Sequence, residues 1–209
     1  MTERRAVVSS RRTMLAATGP VALGLALGPG NAWAKRPPGV RRYAYVQAGQ
    51  KYKTGGAIIR VRAPLDRVLA EVLKYRRYHR VLPRIETSKI VRRDGKKSAD
   101  VYMRAPIFGG MMSIWFIARF LGPKPWKWGG VQIEGTLVRS NVASFSGFWK
   151  LHPCGPKGQE TVLRLELNLV PKVPVPTDML ERQFRWAAEK GVVAIRDLTE
   201  GKPSSVRDD

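Results

Sequence analysis

The chain has 209 residues, with 38 Lys and Arg against 16 Asp and Glu, a formal net charge of +22 at pH 7. Hydrophobic residues make up 44% of it, enough at this length for one domain with a sizeable core. Its single cysteine, Cys154, excludes an intramolecular disulfide and a cysteine-based metal site.

Residues 1–34 have the layout of an export signal. Arg4, Arg5, Arg11 and Arg12 form a charged start, and an apolar run spans about Met14 to Leu27. Pro29 and Gly30 then break the helix, and Ala32 and Ala34 are the small residues a signal peptidase needs. The pair Arg11-Arg12 before Thr13-Met14-Leu15 resembles a twin-arginine signal, an address read by a receptor. The expected location is therefore periplasmic or otherwise exported. Removing this segment takes away four arginines and one glutamate, leaving about +19 on the rest. No later stretch reaches the ~18 apolar residues that a membrane span needs. Export argues against a nucleic-acid partner, as does the even spread of Lys and Arg. An anionic membrane surface, bound peripherally, is the expected partner for the charge.

Residues 35–54 read as a linker, punctuated by Pro37, Pro38, Gly39 and Gly49. A domain follows over 55–198, and 199–209 is a polar tail. Gly55 to Val61 predicts a strand. Pro64 opens a helix whose apolar face is Leu65, Val68, Leu69 and Val72. A second short helix, about Tyr75 to Leu82, stops at Pro83. Strands are predicted over 85–93 and 97–104, joined by the turn Asp94-Gly95. Met111 to Phe120 is a long apolar strand, after breaks at Pro106 and Gly109-Gly110. Gly122 to Gly130, rich in Pro and Gly, predicts irregular structure. Strands follow over 131–139, 142–151 and 160–170. In the last of these Leu163, Leu165, Leu167 and Leu169 share one face, with Arg164, Glu166 and Asn168 on the other. Thr177-Asp178 opens a final helix to about Leu198, with an apolar stripe of Leu180, Phe184, Ala187, Ala188, Gly191, Val192 and Ile195.

The fold class is thus α+β: a curved antiparallel sheet of about seven strands wrapped around a long C-terminal helix, with two short helices after the first strand. Catalytic constellations are scarce. His79 sits among Arg76, Arg77 and Arg80, His152 precedes Pro153 in a predicted loop, and no metal-ligand spacing occurs. The expectation is no metal and no cofactor. Asp100 and Glu134 are the weak acid/base candidates. Apolar material is abundant instead, and a strand apolar on both faces needs a bound lipid, a membrane or a second subunit to cover it. Trp126 and Trp128 alternate with Lys124 and Lys127, a pairing suited to an anionic bilayer surface.

The segments Val61-Arg62-Ala63-Pro64-Leu65-Asp66-Arg67-Val68, Tyr78-His79-Arg80-Val81-Leu82-Pro83-Arg84-Ile85 and Gly191 to Asp197, with the order of elements, resemble the START-like superfamily, also called the polyketide cyclase/dehydrase or SRPBCC group. The coenzyme Q-binding proteins are near neighbours within it. This resemblance implies a helix-grip fold enclosing a cavity between helix and sheet. It implies a hydrophobic small-molecule partner such as a lipid, quinone or sterol-like molecule, held by a monomer. Tyr102, Trp115, Phe116, Phe145, Trp149, Phe184, Ala188 and Gly191 are the expected lining. The alternatives are a cyclase/aromatase-type enzyme with Asp100, Glu134 or Tyr102 in the same cavity, and a basic partner-binding module with a filled interior.

Overall fold

The computed structural model describes residues 39–47, 52–107 and 112–202, all within one unit, Arg36–Asp209. The signal residues Arg11, Arg12, Ala32 and Ala34 and the side chain of Trp128 lie outside this set. Nine strands form one antiparallel sheet: β1 (Arg41–Tyr45), β2 (Thr54–Val61), β3 (Thr87–Asp94), β4 (Ser98–Ile107), β5 (Met112–Leu121), β6 (Lys124–Trp126), β7 (Gly130–Ser140), β8 (Val142–Cys154) and β9 (Glu160–Pro171). The order is β1-β2-β9-β8-β7-β5-β4-β3, with β6 paired to β7 off this path. Two short helices, α1 (Leu65–Val72) and α2 (Tyr78–Val81), follow β2, and α3 (Thr177–Glu200) closes the chain. Among the described residues no helix is long and apolar enough to cross a membrane.

Alternation decides which face of each strand meets the helix. In β9, Leu163 and Leu165 are buried beneath α3, while Arg164 and Glu166 stand on the outer face. Register shifts at Ile90/Arg92, Ile117/Ala118 and Val142/Ser144 bend the sheet, which lets a single layer curl around one helix. Gly55 and Gly56 each clear one face. A Cβ on Gly55 would stand 2.5 Å from the Phe184 Cβ, so α3 seats directly on β2. A Cβ on Gly56 would stand 2.5 Å from the Tyr43 ring, which crosses β2 on the outer face.

Three stretches differ from the sequence expectation. Arg41–Tyr45, within the expected linker, is an edge strand. It is fixed from both faces: Arg42 pairs with the buried Glu189 of α3, and the Tyr43 and Tyr45 hydroxyls each donate to Glu166 at 2.9 Å. Within the expected irregular loop, Lys124–Trp126 pairs with β7 and Lys127–Gly129 forms a 3-10 turn. β8 continues through His152 and Pro153 to Cys154, so the predicted loop there is strand.

Candidate ligand-binding site

The two halves of α3 meet the sheet differently. From Ala188 onward the helix is enclosed: Ala188, Gly191, Val192, Val193, Ala194 and Ile195 are all in the core. Gly191 permits this closeness, because a Cβ there would stand 2.7 Å from a Leu165 methyl and 3.1 Å from a Leu82 methyl. The space left beside this half is about 30 Å³, about the share of one water in the liquid. Its walls are Tyr78 and Leu82 beside α2, Met103, Phe116 and Phe120 from β4 and β5, and Phe145, Gly147, Trp149, Leu165 and Leu167 from β8 and β9. The Tyr78 hydroxyl donates to the Val72 carbonyl at 3.0 Å, and burial pushes its pKa well up, so it stays a neutral wall.

The first half of α3 is seated on β2 at Gly55, but toward β4, β5 and the end of β9 it leaves space. Under it lies a groove of about 180 Å³, walled by Met179, Leu180, Gln183, Phe184, Trp186 and Ala187 from the helix. Ala105, Pro106, Ile114, Leu169 and Pro171 from β4, β5 and β9 form the opposite wall, with Pro83, Arg84 and Val175 at the rim. Proline helps to shape both ends. Pro106 and Pro171 lie at strand ends, where the ladder loses a donor. Arg84 is the one charged residue in this lining, and its guanidinium lies 5.3 Å from the centre of the Trp186 ring. The groove exceeds an engineered apolar cavity of ~150 Å³ that binds benzene, and falls below the ~300 Å³ at which ligand pockets usually begin.

A family model described as polyketide cyclase / dehydrase and lipid transport matches residues 61–196. The chain belongs to this family. Among solved structures it is similar to a STAR-related lipid transfer protein from Xanthomonas axonopodis, at 14% identity, covering 80% of this chain and 97% of that one, with a TM-score of 0.66. It is similar to the human StarD13 lipid transfer and protein localization domain, at 17% identity, covering 76% and 83%, with a TM-score of 0.60. A START superfamily protein from Mycobacterium smegmatis matches at 22% identity, covering 71% and 97%, with a TM-score of 0.58. At these identities the likeness is one of fold. No curated protein matches the chain in sequence.

Within this START-like frame, the expected lining residues separate. Phe116, Phe145 and Trp149 meet at the small inner cavity, and Phe184 stands on the larger groove. Ala188 and Gly191 belong to the close packing between. Tyr102 and Trp115 correct the reading of two strands. Tyr102 alternates with the buried Val101 and Met103, and Trp115 pairs across the ladder with the exposed Arg104. They stack on each other with centroids 6.3 Å apart, on the face turned away from α3.

The acid/base candidates move to the outer face as well. Asp100 takes two hydrogen bonds from Arg119, at 2.7 and 2.8 Å, and these hold its carboxyl below the usual carboxylate range. Glu134 pairs across the ladder with Phe148, in the outer row that also contains Glu166. Neither reaches either cavity, and neither does the Tyr102 hydroxyl. His79 is exposed, with Nδ1 2.9 Å from the Arg76 carbonyl. Among the described residues no group of three or more His, Cys, Asp or Glu could hold a metal.

The described side chains of the Lys/Trp segment line neither cavity. Trp126 lies on the outer face of the sheet, with the Lys150 ammonium 5.6 Å and the Arg164 guanidinium 5.8 Å from its ring centre and His152 alongside. Trp126 is half-buried there, while Lys124 and Lys127 are exposed. Sequence reasoning missed Arg84, Ile114, Leu169 and Trp186 as groove residues. The Leu82-Pro83-Arg84-Ile85 turn was visible as a helix stop, but nothing local in it says that α3 returns to face it.

Proposed function

We propose that this chain is an exported binding protein that holds an apolar small molecule, a lipid, quinone or sterol-like compound, beneath the first half of α3. The groove carries this reading: an apolar wall from β4, β5 and β9 faces an apolar helix wall across about 180 Å³. Burying a ligand there removes apolar surface from water on both partners, worth about 25 cal/mol per Å². A molecule larger than the groove requires the first turns of α3 to move outward. That is the half with its apolar side chains only partly buried, so it opens at the smaller cost.

Transfer at an anionic membrane surface follows in this reading from three features. The charge of about +19 that remains after removal of residues 1–34 attracts anionic headgroups, and export places the chain beside a membrane. On the groove wall, Met179 is 37% exposed, leaving a large apolar group at the surface there. Lys124 and Lys127 add charge, whereas Trp126 is engaged elsewhere. The protein acts as a monomer in this scheme, since both groove walls come from one chain.

Native mass spectrometry of the full chain, purified from its own cell envelope, tests the reading. A co-purifying apolar molecule, displaced by added quinone, sterol or acyl chain, is the expected result. A ligand-free mass that stays unchanged with every added compound removes the proposal.

A further inference from the structure

The groove is apolar except at one point. Arg84 stands on its rim, and three observations set this arginine apart. First, its backbone is in the left-handed region, with φ of 64°. It occupies the third position of a turn closed by the Ile85 amide donating to the Leu82 carbonyl at 3.3 Å, with Pro83 at the second. Glycine fills that position of a proline turn without strain, and a long side chain does so only against a steric cost. Second, the guanidinium is placed over the ring of Trp186, which is itself a wall of the groove. Third, Arg84 is exposed and, among the described residues, lacks a counter-ion. Arg182 pairs with Asp178, Arg185 with Glu181 and Arg104 with Glu86, while among the described residues no carboxylate pairs with Arg84.

A strained arginine, held in place by stacking and left without a counter-ion beside an apolar groove, has the form of a recognition group for an anion with an apolar body. We propose that the molecule held in the groove is a single-chain anionic amphiphile, whose carboxylate or phosphate head binds Arg84 and whose chain packs between Ile114, Leu169 and Phe184. This rests on the reading of the groove as the ligand site. The volume sets the scale. About 180 Å³, somewhat more than a benzene-sized cavity of ~150 Å³, admits a short acyl segment without opening the helix.

Calorimetric titration of the full chain with four eight-carbon probes tests this: octanoate, octyl phosphate, octanol and octyltrimethylammonium, each below its micellar concentration. The two anions are expected to bind roughly tenfold or more tightly than the alcohol and the cation, as a charge-assisted contact would give. Whichever anion is preferred identifies the head. In Arg84→Gly the four probes should bind alike, with a melting temperature no lower than that of the parent, because glycine relieves the turn. Arg84→Lys should keep part of the preference. Octanol binding as tightly as octanoate in both parent and Arg84→Gly overturns the anionic-head proposal and leaves the groove as the site. Failure of all four to bind overturns both. An Arg84→Gly variant that loses anion preference only by unfolding also counts against the proposal, since it makes Arg84 a structural clamp.

Discussion

One helix, α3, has two characters. Its second half is locked by Gly191 against Leu165 and Leu82, with about 30 Å³ left beside it. Its first half stands over about 180 Å³ of apolar space. The composition of each half sets the difference. Ala188, Gly191 and Ala194 are buried in close packing on the sheet, whereas Leu180, Phe184 and Trp186 line the groove even where Phe184 also seats the helix on Gly55 of β2. Gly191, with Leu165 and Leu82 against it, marks where the helix is closed. Burial along the helix is concentrated in its second half, away from the groove.

The largest expected effect comes from the packed side. Trp149→Ala should cost about 3–5 kcal/mol in urea denaturation, because Trp149 is 2% exposed and its removal leaves a cavity beside one already present. Phe184→Ala, on the groove side, should cost about 1 kcal/mol while weakening binding of an apolar ligand. Equal costs at the two positions would erase the distinction between the halves.

Substitutions that add bulk sharpen it further. Gly191→Leu should destabilise by about 2–3 kcal/mol, since its Cβ alone would stand 2.7 Å from Leu165. Ala187→Leu, one turn earlier and facing the groove, should leave stability within about 1 kcal/mol and weaken ligand binding roughly tenfold. Ligand affinity that survives Ala187→Leu places the ligand elsewhere.

A smaller loss is expected at the contact between β1 and the packed half. Glu189 is 3% exposed and pairs with Arg42, which keeps some solvent contact. Glu189→Ala should cost about 2 kcal/mol and release β1 amides to hydrogen exchange, without changing ligand affinity. Protection of β1 that persists in the variant would show that the Tyr43 and Tyr45 contacts to Glu166 suffice.

The smallest effect serves as a control on the outer face. Burial, and then Arg164, holds the His152 imidazole below its ordinary value of 6.5. The unfolded chain thus takes a proton that the folded chain resists. Stability is full above about pH 6.5 and declines as pH falls toward the folded value. His152→Gln should remove that decline and leave the groove untouched. Parent and variant profiles of identical slope between pH 6.5 and 5 would contradict the placement of this ring.

Much of the fold was legible because it rests on periodicity. The alternation of β9 and the stripe of α3 both point to one buried face, and Pro64 and Pro83 bracket the short helices. β1 was not legible. Arg41 to Tyr45 is basic and short, and its partners Glu166 and Glu189 lie more than a hundred residues away. Tyr102 and Trp115 were misplaced for a related reason. β5 is rich in large apolar groups on both faces, so composition does not choose the inner one, and an error of one residue exchanges the two sets. The groove was half legible: Phe184 belonged to the expected stripe, but Arg84 and Leu169 join it only through the path of α3 across the sheet.

The central claim is that ligand space lies under the first half of α3. Photolabelling the full chain with a diazirine-bearing eight-carbon carboxylate, followed by peptide mapping by mass spectrometry, tests it most directly. Labels within 177–187, with partners at Ile114 or Leu169, are expected, and they should disappear in Ala187→Leu. Labels concentrated around Trp149, Gly191 and Ile195, or spread over the outer face near Tyr102 and Trp115, would contradict it.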